Sequence, residues 1–395
     1  LHYVDLTYTN GKGTKAGVSY MNYYDRGLQA LRVTDPEGTE TSSLDYNSSQ
    51  RVSTWRGYID MRHKLAHGWT LTYGGSYTYT NTKNRQTQET DLGNLENETS
   101  ESKLEEHNGD LYLGVMKSFW DGKLSLYASL TDNYYKINDY KRNTLIPMAQ
   151  VTWIPSQSHI FQFYGSIWRD YPSYWQTRDF ASYSDAYTRN EGNSSLTPDL
   201  TYSAVATYIL KGKYVLQANY MRINNHMLWQ GYQSDEELAL IYRPQNIDYF
   251  QTVDVTATIP VTLWKWWDVS VALTGAWQHY KASNWNGLYF NRHKWLGLAI
   301  LNNTFTLAKK PKIQANVMAF YRTGPLQGFM DYTPNWGVNA SLRMTFLKDK
   351  ATLSVGCNDI FQTGITDFRQ RLGTQNLTFN LGRFVNRAIY VRFSY

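Results

Sequence analysis

The feature that most constrains this chain is a strict period-two alternation carried over segments longer than ordinary strands. From Trp69, the residues Trp69, Leu71, Tyr73, Gly75, Tyr77 and Tyr79 alternate with Thr70, Thr72, Gly74, Ser76, Thr78 and Thr80. Leu124, Leu126, Ala128 and Leu130 alternate with Ser125, Tyr127, Ser129 and Thr131. The same reading holds for Val269–Trp277, Val338–Phe346 and Ile389–Tyr395. A period of two puts one apolar and one polar face on each segment, which defines a strand and not a helix. No helical periodicity competes with it over a comparable length.

The links between these segments alternate in length. Short ones fall near Asn10–Gly13, Ala66–Gly68, Trp120–Gly122, Pro155–Ser158, Lys211–Gly212, Trp264–Trp267, Lys309–Pro311 and Lys348–Lys350. Longer, polar ones fall near 24–49, 83–102, 137–143, 172–199, 227–239, 283–290, 323–333 and 373–382. The count predicts about 17 strands, most of them well over the ~5–6 residues usual in soluble proteins. A propeller would repeat every ~40 residues, and no such repeat is present. Long strands, with short turns at one end and long links at the other, describe an all-β, transmembrane antiparallel β-barrel of an outer membrane.

Composition supports that reading. Charged residues are 18% of the 395 and aromatics 16%, against ~25% charged in an average soluble domain. Disordered chains are poor in aromatics, and no apolar run approaches the ~18 residues of a spanning helix. The mean hydropathy of −0.54 is what a barrel gives, because only alternate residues of each strand meet lipid. The 33 Tyr and 14 Trp suit the two membrane–water interfaces. Mid-strand apolar residues such as Leu126 and Leu273 are expected to face lipid, with Ser125 and Thr274 facing the lumen. Residues 1–395 are read as one barrel domain. An odd strand number, where bacterial barrels have even ones, makes it the C-terminal portion of a longer barrel, with further strands, a plug and a signal peptide upstream of Leu1.

Several functions are excluded. The net charge of +6 is spread thinly, with no block of five or six like charges, so no nucleic-acid partner is expected. A single cysteine, Cys357, allows neither an intrachain disulfide nor a thiolate cluster. His63 and His67 flank a short turn, and no acid–base pair or phosphate loop stands out. No catalytic residue, metal ligand or cofactor is predicted. The expected partners are the lipid bilayer, lipopolysaccharide and a small or oligomeric substrate.

The candidate binding segment is the loop 171–187, through Tyr174, Trp175, Arg178, Phe180 and Tyr183. Aromatic and Arg side chains carry most of the energy at interfaces. The alternative is an interface girdle continued into a loop that packs on itself. A second stretch, Glu89, Asp91, Glu96, Glu98, Glu101, Glu105 and Glu106, reads as a solvated acidic face, with divalent-cation binding in the lipopolysaccharide layer as its other reading.

Three motifs resemble a known family. Glu191-Gly192-Asn193-Ser194-Ser195-Leu196-Thr197-Pro198-Asp199 is similar to the Gly-Asn-Pro-x-Leu-x-Pro-Glu motif of TonB-dependent receptors, with Ser194 for the usual Pro and Asp199 for the usual Glu. Asn358-Asp359-Ile360-Phe361 resembles their Asn-Asp-(Ile/Leu/Val)-Phe motif, and Arg392-Phe393-Ser394-Tyr395 their aromatic-terminated last strand. Order and spacing also resemble the TonB-dependent outer-membrane barrels of Bacteroidota. The resemblance implies a 22-stranded barrel with an upstream plug and TonB box, and partners in the TonB system and a surface lipoprotein. It implies uptake of a bulky nutrient: a glycan, a peptide or a metal chelate. The alternative role is a non-transporting adhesin or assembly barrel that holds a partner through its loops.

Overall fold

The computed structural model describes residues 1–91, 97–173, 175–177, 181–185, 187–380 and 387–395. In chain order, the strands begin with β1 (His2–Thr9), β2 (Thr14–Thr34), β3 (Glu40–Lys64), β4 (Trp69–Thr90), β5 (Glu98–Phe119), β6 (Leu124–Ile137) and β7 (Tyr140–Ser156). There follow β8 (His159–Asp170), β9 (Ala181–Asp185), β10 (Thr188–Glu191), β11 (Asp199–Leu210), β12 (Tyr214–Asn224), β13 (Met227–Gln233) and β14 (Leu240–Asn246). Next come β15 (Tyr249–Trp264), β16 (Trp267–Trp285), β17 (Leu288–Lys309), β18 (Lys312–Arg322), β19 (Leu326–Gln327) and β20 (Met330–Tyr332). The last are β21 (Asn335–Phe346), β22 (Ala351–Asn358), β23 (Phe368–Leu372), β24 (Gln375–Phe379) and β25 (Ala388–Ser394). One 17-stranded antiparallel sheet holds all but two small four-stranded sheets. The 17 agrees with the count from alternation. Among the described residues no helix is long and apolar enough to cross a membrane, which says nothing of strands.

Contacts divide the chain into two units, 1–150 with 166–201 and 225–246, and 151–165 with 202–224 and 247–395. In the first, β1 to β6 each pair with the next. Their register places the apolar stripes side by side. Ile59 faces Gly75 and Gly75 faces Leu111; Met61 faces Tyr73, which faces Leu113, which faces Leu130. Leu111 and Leu113 are 70% and 55% exposed, whereas Thr80 and Thr82 on the other face are buried. The stripe therefore points outward and its polar alternates inward, as the alternation requires.

Two aromatic rows bound this apolar band. In the first unit, Trp69 lies in the lower row, and ten residues on Tyr79 lies in an upper row with Tyr20, Trp55 and His107. In the second unit, β16 places Trp267 beside Phe305, and ten residues on Trp277 beside Trp295 and Val253. Ten residues at ~3.4 Å each, tilted by ~40°, rise about 26 Å, which is the height of a barrel's apolar band. Within each unit this spacing marks the two edges of that band. It also corrects the placement of Leu126, which pairs with Lys117 in the lower row beside Trp69 and not at mid-strand.

Four of the long links are not loops. β2 and β3 stay paired from Thr14–Met61 up to Thr34–Glu40, so 24–49 is a hairpin closed only at 35–39. The described part of 83–102 is likewise the paired ends of β4 and β5. The link 137–143 narrows to a turn at 138–139. The link 283–290 closes as a two-residue Asn286–Gly287 turn between Trp285 and Leu288, with both φ values positive, 48° and 79°. That is the Asn-Gly signature of a tight hairpin. Polarity on both faces marks these stretches as leaving the bilayer, not as leaving the sheet.

The buried apolar side chains cluster on the inward face beyond the aromatic rows. In the first unit they include Leu44, Tyr46, Val52, Leu104 and Tyr135. In the second, Trp285, Phe290 and Phe329 pack together, with Trp285 and Phe329 rings 4.8 Å apart. Phe329 sits in the turn between β19 and β20 of the small sheet β19, β20, β23 and β24, where Arg292 donates to the Phe329 carbonyl at 2.7 Å and to Asp331 at 2.6 Å.

Candidate functional site

The segment singled out from sequence belongs to the other small sheet, which lies wholly in the first unit. Its strand order is β13, β14, β10, β9. β10 runs parallel to β14, with Arg189 opposite Ile241, while the β9–β10 and β13–β14 pairs are antiparallel. Strands β13 and β14 come from the link 227–239 and the residues after it, which sequence reasoning did not connect to the loop.

Three inward polar groups of the wall hold β9. Gln86 donates to the Ala181 carbonyl and Gln29 to the Tyr183 carbonyl, both at 3.0 Å. Tyr46 stacks on Tyr183 with centroids 6.1 Å apart. Earlier in the loop, Tyr171 stacks on Tyr135 at 3.9 Å and donates to Asn133 at 2.8 Å. Buried side chains and carbonyls are matched here donor to acceptor, as burial demands.

The Gly-Asn motif staples the far side. Asn193 donates from its backbone to the Gln176 carbonyl at 2.6 Å and from its amide to the Pro244 carbonyl at 3.0 Å. Asn246 accepts from the Thr197 N–H at 2.9 Å and donates to the Thr197 and Asn225 carbonyls. Asp199 accepts from the Met227 N–H at 3.0 Å. The motif thus ties the loop to the β13–β14 hairpin. In the second unit the Asn-Asp motif plays a comparable part: buried Asp359 accepts from Thr363 and Gly364 N–H groups, each at 3.0 Å.

Against this frame the five candidate residues separate. Tyr174, Arg178 and Phe180 lie outside the described residues. Tyr183 is half-buried against Tyr46, and burial pushes its hydroxyl above its ordinary range despite a hydrogen bond with Arg189. Trp175 is exposed. It meets Trp229 of β13 edge to face, with centroids 5.9 Å apart at 86°, and Trp229 in turn leans on Tyr242 at 5.5 Å. Trp175 and Trp229 are 45% and 43% exposed. The result is a ledge of rings, of which sequence reasoning had found one.

Behind the ledge lie charged and polar groups. Arg189 reaches Glu191 at 2.7 Å and Glu237 at 2.6 Å. Burial works against its charge, but the two carboxylates outweigh burial and hold the guanidinium above its ordinary range. Gln230 and Arg243 are cross-strand partners. Gln230 is 1% exposed, yet neither end of its amide is hydrogen-bonded among the described residues, nor is the Arg243 Nε.

The acidic stretch is not one face. Glu101 and Glu105 point outward, paired with Arg85 at 3.5 Å and Lys103 at 2.5 Å, while Glu98 and Glu106 fall on the inward alternates. Glu96 lies outside the described residues. Among the described residues no three His, Cys, Asp or Glu side chains gather as a metal site.

The sheet, its outward apolar band and its two aromatic rows define a membrane β-barrel wall. The sequence profile of the outer membrane protein beta-barrel family matches residues 7–395, and the chain belongs to that family. Its place is the outer membrane of a Gram-negative cell. No curated protein matches the sequence significantly. Among solved structures, the chain is similar to the FrpB iron transporter from Neisseria meningitidis, with TM-score 0.57 and 12% identity, over 100% of this chain and 71% of that one. It is similar to the ferric enterobactin receptor from Pseudomonas aeruginosa, with TM-score 0.60 and 13% identity, over 99% and 60%. It is also similar to the copper transporter OprC, with TM-score 0.64 and 12% identity, over 100% and 65%. The chain thus spans 60–71% of the length of these proteins. At such identities the likeness is one of fold.

Proposed function

We propose that this protein is an outer-membrane receptor that captures a bulky nutrient at the cell surface for TonB-dependent uptake. The observation that carries the reading is the Trp175–Trp229–Tyr242 ledge, exposed at the outward end of the wall and backed by Gln230, whose amide has no hydrogen-bond partner among the described residues. Exposed rings offer stacking faces to a sugar, a peptide side chain or an aromatic chelate. A buried amide with no partner is costly unless a ligand or water completes it. The solved structures of similar fold include iron, ferric-siderophore and copper proteins, which supports the transport reading and leaves the nutrient class open among glycan, peptide and metal chelate.

The family resemblance extends the proposal. The 17 strands form the C-terminal portion of a 22-stranded barrel in a member of the Bacteroidota, with the TonB system and a surface lipoprotein as partners. The span of 60–71% of the similar structures is consistent with that. The test replaces Trp175 and Trp229 together with Ala and measures binding of fluorescent glycans, peptides and iron chelates to whole cells. Two lost rings should weaken capture by roughly tenfold to a hundredfold at equal surface display. Unchanged capture of every probe that the wild type binds would overturn the proposal. Capture that persists in the wild type without any uptake would identify a surface adhesin instead.

A further inference from the structure

Beyond the upper aromatic row and one further row of Asn22, Ser53, Asn81 and Glu105, the outward face of the first unit turns basic. The row formed by Tyr24, Arg51, Lys83 and Lys103 is exposed, and the next brings Arg26 and Arg85. The inward alternates at the same height are Asp25, Gln50, Asn84 and Ser102, with Ser48, Gln86 and Ser100 above them. Not one is a cation. A patch meant to steer a substrate into the lumen would occupy the inward face. This one occupies the face that meets the membrane.

The carboxylates on that face neutralise only part of it. Glu105 is paired with Lys103 and Glu101 with Arg85. Arg51 and Lys83 have no carboxylate partner among the described residues; Arg51 lies only over the Tyr24 ring, 5.7 Å from its centroid. Below the aromatic row the same strands carry a shallow groove of about 1330 Å³. Gly57 and Gly75 open it where neighbouring positions carry Val18, Ile59, Tyr77 and Leu111. Basic rows are separated from the groove by about six to eight residues, or roughly 16–20 Å of height at ~3.4 Å per residue and ~40° tilt.

We propose that this face binds a phosphorylated glycolipid of the outer leaflet, with its phosphates on Arg51, Lys83 and Lys103 and an acyl chain in the groove beneath. Guanidinium and ammonium groups recognise phosphate oxygens by charge-assisted hydrogen bonds. Their position two rows above the aromatic row is the depth of lipid headgroups. Charge and groove are stacked on the same strands in the order of headgroup and tail, which a soluble anionic partner would not require.

The test uses the full-length protein extracted from outer membranes in mild detergent, with native mass spectrometry for bound lipid. It adds a titration with purified lipopolysaccharide and its dephosphorylated form. Wild type should retain the phosphorylated lipid and discriminate against the dephosphorylated one. The triple variant R51Q/K83Q/K103Q should bind on the order of a hundredfold more weakly, given the attraction each cation contributes near an anionic surface. The inward variant R56Q should bind as wild type does. Equal retention by the triple variant would overturn the proposal. So would equal binding of the two lipid forms by wild type, a readout that needs no variant to fold. Displacement of the lipid by millimolar inorganic phosphate alone would identify a free-anion site and overturn the lipid assignment.

Discussion

Arg placed at Leu273 and at Leu126 should have unequal costs, because the two residues lie at different depths. Leu273 is 49% exposed on the outward face, six residues beyond Trp267 and four short of Trp277. At ~3.4 Å per residue and ~40° tilt, it sits about 10 Å below the upper row and about 16 Å above the lower. That is close to the midplane, where a lipid-facing Arg costs ~2–4 kcal/mol. Leu126 pairs with Lys117 beside Trp69 in the lower row, where the cost falls to ~0–1 kcal/mol. Thr274, the inward neighbour, bonds Thr256 at 2.8 Å and faces the wet side, so T274R should lose about one weak hydrogen bond. The assay is urea titration of protein folded into liposomes, followed by heat-modifiable migration. L273R should shift the folding equilibrium by roughly 30- to 700-fold and L126R by less than about tenfold. Equal penalties for L273R and L126R would refute the depth assignment. Equal penalties for L273R and T274R would refute the assignment of faces.

Asn246→Ala removes an acceptor for Thr197 and donors to two carbonyls, so it should loosen the small outward sheet; protease cleavage within 171–199 should rise while the wall stays resistant. Asp359→Ala should do the same for 359–364, by losing two backbone hydrogen bonds of about 1 kcal/mol each, read as faster hydrogen exchange there. Gly13→Ala should destabilise the first turn, because φ is +96° and a Cβ would stand 2.2 Å from the Arg62 carbonyl oxygen; a lowered unfolding midpoint measures it.

The wall was legible because the membrane acts on every second residue and leaves a mark at each. Leu111 out and Thr80 in follow from the same rule that assigned Leu71 and Thr70. The rule weakens where the bilayer ends. Beyond the upper row, Thr82, Asn84 and Gln86 are buried while Lys83 and Arg85 are exposed, so alternation persists but no longer separates apolar from polar. Read by hydropathy alone, such a stretch looks like a loop. Read by pairing, it is the continuation of β4. The Asn286–Gly287 turn carried a local signal strong enough to have closed its hairpin from sequence, since few other dipeptides favour two consecutive positive φ values.

The candidate site was half legible for a different reason. Trp175 stands out in a loop because a large ring there lacks a local packing partner. Its actual neighbour, Trp229, lies 54 positions away in sequence and reads on its own as one aromatic in a short strand. The two meet because β14 runs parallel to β10, and a parallel pairing leaves no hairpin signature in the chain. What does mark the meeting point is the Gly-Asn motif, whose resemblance to a receptor family was read as an emblem of membership. Its side chains are spent on the carbonyl of Pro244, through Asn193, and on the N–H of Met227, through Asp199. A short motif rich in Asn, Thr and Asp between strands is a set of backbone partners looking for a second segment. Here that segment is the hairpin that brings Trp229 to Trp175, so the motif is the sequence's one pointer from half of the ledge to the other.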